Sequence, residues 1–311
     1  VRGRDAGKAL DRLSANAVDG EAGAITYTQW LDERGNLRAD LTVTKLADDR
    51  FLVVATDTAH RRVESILQRA AADAHAFVHD ATGAHAQLNV QGPLSRALLQ
   101  RVTTADMSNE AFPFRAARLI DIGFAVVLCV RITYLGELGY ELYVPTEQAV
   151  HVHDRLMAAG ADLGVRHAGL KALASLRMEK GYRDYGHDID NTDDPLMAGF
   201  NFAIDWDHDF VGRDALQPLR GVTPASRLVS VLCLDPEPLM YHAEVLRRDG
   251  EEVGYVRAAS YGHTLGGAVG LAMVSGDVST GDWTVEINGA QYPAKVSLRP
   301  FYDPTNARIK A

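Results

Sequence analysis

Arg177-Met178-Glu179-Lys180-Gly181-Tyr182-Arg183-Asp184-Tyr185-Gly186-His187-Asp188-Ile189 crowds acids, bases and tyrosines into the end of a helix and the loop after it. Leu170, Leu173 and Leu176 recur at helical spacing, and Gly181 is a C-terminal stop. A carboxylate at a helix C-terminus opposes the macrodipole, at a cost of a few tenths to about 1 kcal/mol. Arg177 and Lys180 suit that end and Glu179 does not. Glu179 is therefore either exposed and paired with a basic neighbour, or held in a pocket to accept two N–H bonds from a ligand. Asp40 raises a similar choice, because Asp is depleted in strands. It is either a solvent-facing residue opposite Arg38 or a carboxylate facing a cavity, where it takes a proton or holds a cation. Tyr134, Glu137 and Tyr140 flank a Gly-x-x-Gly turn, whose turn chemistry explains the glycines but not the acid.

Other chemistries find no residues. There is no G-x-S-x-G elbow, Walker loop or C-x-x-C pair. Gly262-His263-Thr264-Leu265-Gly266-Gly267 lies outside any βαβ unit and reads as a glycine-rich turn before a strand. His151 and His153 fall on different helix faces, and His60, His85 and His167 lack acidic or Cys partners at ligand spacing, so no metal is expected.

The elements that must position these groups follow from periodicity. Residues 5–15 read as a short helix. Strands at 27–31, 37–46 and 51–55 form a meander, with Leu37, Ala39, Leu41 and Val43 on one face and Arg38, Asp40, Thr42 and Thr44 on the other. Asp57 or Thr58 caps a helix bearing Val63, Ile66 and Leu67. Ala86 to Val90 is a strand, and Gly92-Pro93 opens a helix with Pro in its first position. Leu119 to Thr133 and Tyr140 to Val144 pair as a hairpin, before helices at about 147–159 and 166–180. Past residue 222 the helical period vanishes, and strands are expected at 227–234, 243–256, 268–274, 283–287 and 292–298. The expected fold is α+β, of mixed antiparallel sheets and helices, followed by an all-β barrel or jelly roll. The boundary falls in 212–224, giving regions 1–218 and 219–311.

The chain has 311 residues, 47% apolar and 23% charged, and a net charge of −9. That charge argues against a general nucleic-acid or anionic-membrane binder. No apolar run approaches the roughly 20 residues that span a bilayer. Cys129 and Cys233 lie in apolar runs and read as buried thiols of a reducing compartment, the cytoplasm or a mitochondrial matrix. The opening Val1-Arg2-Gly3 reads as an internal start without a signal peptide.

Several motifs in order resemble the aminomethyltransferase family of the glycine-cleavage T-protein type. Thr133-Tyr134-Leu135-Gly136-Glu137-Leu138-Gly139-Tyr140-Glu141 is similar to its T-G-E-x-G-[YF]-E signature, and Ser175-Leu176-Arg177-Met178-Glu179-Lys180-Gly181 to its S-L-R-L-E-x-G helix end. Tyr185 to Ile189, Asp194-Pro195-Leu196 and Phe210 to Leu216 continue the match, which runs from residue 1 to about 304. Tyr27 to Leu31, Ala39 to Val43, Glu179 to Tyr182 and Gly186-His187-Asp188 more closely resemble the C-terminal half of sarcosine and dimethylglycine dehydrogenases.

The resemblance implies a tetrahydrofolate-binding, one-carbon-transfer unit that makes 5,10-methylenetetrahydrofolate from a donor amine. An FAD domain, covalently joined or associated, would oxidise the amine; it lies outside these residues, as do the T-like half's own first strands. The resemblance makes Asp40 the acid beside the folate nitrogens and Glu179 the grip on the pterin. It places Tyr134, Tyr185, Tyr182 and Tyr27 along the cavity, and makes Arg213 a candidate for the folate tail. Asp205-Trp206-Asp207-His208-Asp209 departs from the T-protein pattern, which is basic there, and suits the dehydrogenase subgroup. The fragment alone is expected to bind folate weakly and not to oxidise amines. The alternatives are a folate-dependent S- or O-demethylase or aminomethyltransferase acting alone, and a non-catalytic folate-binding accessory protein.

Overall fold

Alternation of apolar and polar residues along Leu37–Ala47 builds the first sheet of the computed structural model, which describes residues 1–311. Helix α1 (Ala6–Leu13) precedes strands β1 (Ile25–Leu31), β2 (Leu37–Ala47) and β3 (Arg50–Ala55), an antiparallel sheet ordered β1-β2-β3. Ala39, Leu41 and Val43 point into a core shared with Trp30, α1 and α2 (His60–Ala71). A single 3-10 turn over 57–59 precedes α2, so Asp57 holds the Thr58 amide (2.8 Å) instead of capping the helix.

The second sheet runs β4 (His85–Gln91), β7 (Gly139–Pro145), β6 (Ala125–Val130), β5 (Ala117–Ile122), all antiparallel. Helices α3 (Ser95–Gln100) and α4 (Ala149–Ala159) cover one face through Leu98, Leu99, Val152 and Leu156. Two expectations fail here. The long strand 119–133 is two strands, broken at Gly123 (φ +64°), whose conformation suits a residue without Cβ. Helix α3 begins at Ser95, after a turn that uses Gly92 and Pro93.

Helix α5 (Leu170–Glu179) starts four residues later than the spacing suggests, and Leu170 is 82% exposed. Its buried residues are Ser175, Arg177, Met178 and Glu179, because its C-terminal half, not an apolar stripe, docks on the third unit. A short helix α6 (Arg213–Leu216) leads to that unit, a closed antiparallel barrel. The barrel is formed by β8 (Ser226–Cys233), β9 (Val245–Arg248), β10 (Glu251–Gly262), β11 (Gly267–Ser275), β12 (Trp283–Ile287) and β13 (Ala290–Ser297). The order is β10-β11-β8-β13-β12-β9. The expected strand 243–256 is split at Asp249-Gly250 (φ +52° and +86°), a tight turn between β9 and β10. Closure leaves no free sheet edge, which favours the barrel over the jelly roll. Cys129 and Cys233 are free and buried, and no helix is long and apolar enough to cross a membrane.

Candidate functional site

Glu179 is 1% exposed. Its Oε1 accepts the backbone N–H groups of Thr264 (2.7 Å) and Leu265 (3.1 Å), in the turn between β10 and β11. Its Oε2 is buried and has no partner. The surface-pair reading of Glu179 is therefore wrong. Arg177 is instead committed to Asp188 (2.9 and 3.2 Å). Lys180, 2% exposed, gives its three donors to the Asp303 carbonyl (2.6 Å), Asp303 Oδ2 (2.9 Å) and Asn306 Oδ1 (2.8 Å). The barrel amides offset the unfavourable helix-end position, and the ligand-pocket reading survives for one oxygen only. A buried carboxylate oxygen without a donor costs about 1–3 kcal/mol or more, so Oε2 keeps an unused capacity to accept an N–H.

Asp40 lies opposite Gln29 in the β1–β2 register, and Gln29 Nε2 donates to its Oδ1 (2.9 Å). The carboxyl is half-buried rather than solvent-facing beside Arg38. Desolvation pushes its pKa up to about 6, against hydrogen bonds from Tyr27 and Gln29 and the charge of Arg183, while Asp184 adds to the rise. An acid with that proton affinity exchanges protons readily near neutral pH. Burial, followed by the Asp40 charge, also raises the Tyr27 phenol, keeping it neutral and a donor.

Around this carboxyl the loop after α5 closes a ring of side chains. Tyr27 meets Phe200 edge-on (5.8 Å), and the Arg183 guanidinium lies over the same Phe200 ring (5.4 Å). Tyr134 stacks on Tyr182 (5.9 Å, 5°) and donates its hydroxyl to the Arg183 carbonyl (2.7 Å). Burial raises both phenols, Tyr182 to about 12. Four of the residues singled out from the sequence, Asp40, Tyr27, Tyr134 and Tyr182, thus share one locus, joined to Glu179 by the short segment 179–183.

Two others do not join it. Tyr185 is 7% exposed in a hydrophobic core; its hydroxyl accepts from Arg62 (3.0 Å) and donates to the Leu37 carbonyl (3.4 Å). Arg213 turns back on the acidic run, with Nε and Nη2 on the Trp206 carbonyl (3.3 and 2.9 Å). Sequence reasoning missed Gln29, Arg183, Phe200 and the two turn amides. Gln29 was accessible from the hairpin register; the amides carry no side-chain signal. Glu137, unexplained by the turn, is a clamp for the C-terminal segment: its Oε1 accepts from the Tyr302 hydroxyl and from Arg308 (3.5 Å).

Comparison with known proteins shows the family and the fold. The family model "GCVT N-terminal domain" matches residues 1–208, and "Glycine cleavage T-protein C-terminal barrel domain" matches residues 227–303. The 4-methylaminobutanoate oxidase (formaldehyde-forming) of Paenarthrobacter nicotinovorans is 42% identical over 100% of this chain, which spans 38% of that protein. The mitochondrial sarcosine dehydrogenase of Mus musculus is 34% identical over 99% of this chain, which spans 36% of it. The chain is thus little more than a third of the length of these relatives. The crystal structure of the glycine cleavage system aminomethyltransferase T from Bartonella henselae superposes with a TM-score of 0.83 at 24% identity, covering 96% of this chain and 82% of that one, which establishes the shared fold.

Proposed function

We propose, since this chain belongs to the glycine cleavage T-protein family, that it is the tetrahydrofolate-binding one-carbon-transfer module of a flavin-dependent oxidoreductase acting on N-methyl amino acids. Residues 1–218 form the folate-binding region and 219–311 the barrel that completes it. The observation that supports this reading is the buried, unpartnered Oε2 of Glu179. The pterin of tetrahydrofolate presents N–H donors that suit such an acceptor, and a charge-assisted bond there offsets the desolvation of the carboxylate. Thr264 and Leu265 hold Oε1, so the carboxyl plane is fixed before a ligand arrives.

When bound, tetrahydrofolate supplies two amine nitrogens that take the methylene of an iminium donor, giving 5,10-methylenetetrahydrofolate and releasing the amine with both protons, without oxidation. Asp40 is the group in the chain suited to that exchange. Ionised, it stabilises the cation; with a pKa near 6, it accepts a proton from an attacking amine and returns it to the leaving one. Gln29 fixes its orientation, and Tyr134 and Tyr182 give a flat apolar wall. The flavin-bearing partner and a reducing compartment are parts of the same proposal.

Calorimetric titration of tetrahydrofolate into the protein and its Glu179→Ala variant tests the assignment. Saturable binding that the variant loses is expected. A well-folded wild-type protein that binds no tetrahydrofolate would refute it.

A further inference from the structure

Arg183 is a cation in the site that the transfer chemistry above does not use. Its Nε donates to the Ala198 carbonyl (3.2 Å) and its Nη1 to the Gly181 carbonyl (2.9 Å). Nη2 donates to no protein acceptor and is not sealed from solvent. The guanidinium carries five N–H donors, so the edge formed by Nη1 and Nη2 keeps donors free. Stacking over Phe200 holds its plane, and Gly199 leaves the room it needs: a Cβ there would lie 2.7 Å from Nη2.

The nearby acids do not neutralise it. Asp188 is held in a two-bond pair by Arg177, and Asp40 has one oxygen on Gln29. Tyr27, whose raised pKa keeps it neutral, brings no charge. Burial depresses the basicity of the guanidinium, as expected of a cation that lacks a close counter-ion. A planar guanidinium with both N–H groups of Nη2 free of protein acceptors suits a carboxylate, which it can bind through a charge-assisted hydrogen bond.

We propose that Arg183 is the subsite for the carboxylate of the one-carbon donor, so that the module takes an iminium borne by an amino acid in preference to free formaldehyde. The inference rests on the folate-module reading for its purpose but not for its anion chemistry. The donor's cationic end then lies on the Asp40 side and its anionic end on the Arg183 side. Arg183 acts here as a specificity-determining residue, while the proton transfers stay with Asp40.

Sarcosine and dimethylammonium differ only by the carboxylate that sarcosine carries on one of the two N-linked carbons, and they serve as probes. Each is titrated by calorimetry into the wild-type protein, Arg183→Met and Arg183→Lys, with 4-(methylamino)butanoate as a longer carboxylate. Wild type is expected to prefer the carboxylates by at least about tenfold, the scale of one charge-assisted contact. Arg183→Met should lose that preference and Arg183→Lys keep part of it, with circular dichroism confirming both folds. If Arg183→Met does not fold, the Lys variant and the wild-type preference decide the matter. Equal binding of sarcosine and dimethylammonium by wild type, or an undiminished preference in the folded variants, would overturn the proposal. Tetrahydrofolate titrated into the same preparations separates the two readings. A carboxylate preference without folate binding leaves the anion subsite standing and removes the folate module.

Discussion

Replacing Asp40 with Asn should make the protein more stable at neutral pH while disabling it. Burial raises the Asp40 carboxyl from 3.8 to about 6, so folding increases its proton affinity. Between about pH 4 and 6 the native chain holds a proton there that the unfolded chain has lost. Stability from the neutral carboxyl is therefore present below the unfolded pKa and disappears as pH rises through 6. A rise from 3.8 to about 6 corresponds to about 3 kcal/mol. Water reaches this half-buried group and screens part of that, leaving about 1–2 kcal/mol. Asn keeps an oxygen for the Gln29 donor and carries no charge at any pH. Urea unfolding at pH 8 should show Asp40→Asn more stable than wild type by about 1–2 kcal/mol, with most of the difference gone at pH 4.5. Methylene capture by the variant should fall by about 10²–10⁴, the usual contribution of a general acid–base group. A variant that is less stable than wild type at pH 8, or equally displaced at both pH values, would refute the claim that burial raises the proton affinity of Asp40.

Three further outcomes are expected. Glu179→Gln keeps an acceptor for the Thr264 and Leu265 amides but turns the other position into a donor. Tetrahydrofolate affinity should then drop about 10–100-fold by calorimetry, with a loss of only about 1–2 kcal/mol in thermal unfolding. Lys180→Met leaves the Asp303 carboxylate, whose side chain is 3% exposed, without its cation. About 3–5 kcal/mol should be lost in urea unfolding, and limited proteolysis should cut earlier in the segment after β13. Asp188→Asn removes the charge that neutralises Arg177 inside the protein; a loss of similar size, about 3 kcal/mol or more, should appear in urea unfolding.

Much of the architecture was legible because it rests on local patterns. Period-2 alternation in 37–47 identified the strand and the face bearing Asp40, and strand runs with turn residues announced the barrel. The errors were also local. Gly123 and Asp249-Gly250 end strands through positive φ values, which an apolar run on either side conceals. Leu170 and its neighbours gave helix α5 a period that burial did not follow, because the helix docks by its end.

By itself the sequence determined that carboxylates stand at two awkward positions, a strand interior and a helix C-terminus, and that tyrosines surround them. Residue type and element period suffice for that, since both are properties of the chain within a few turns. Only the tertiary structure decided what those carboxylates do. It brings the β10–β11 amides across 85 residues of sequence to one oxygen of Glu179 and leaves the other free. It also sets Gln29, Tyr27 and Arg183 around Asp40 so that burial outweighs their pull on its proton. Desolvation and unpaired donors or acceptors depend on every neighbour at once, and no window along the chain contains those neighbours.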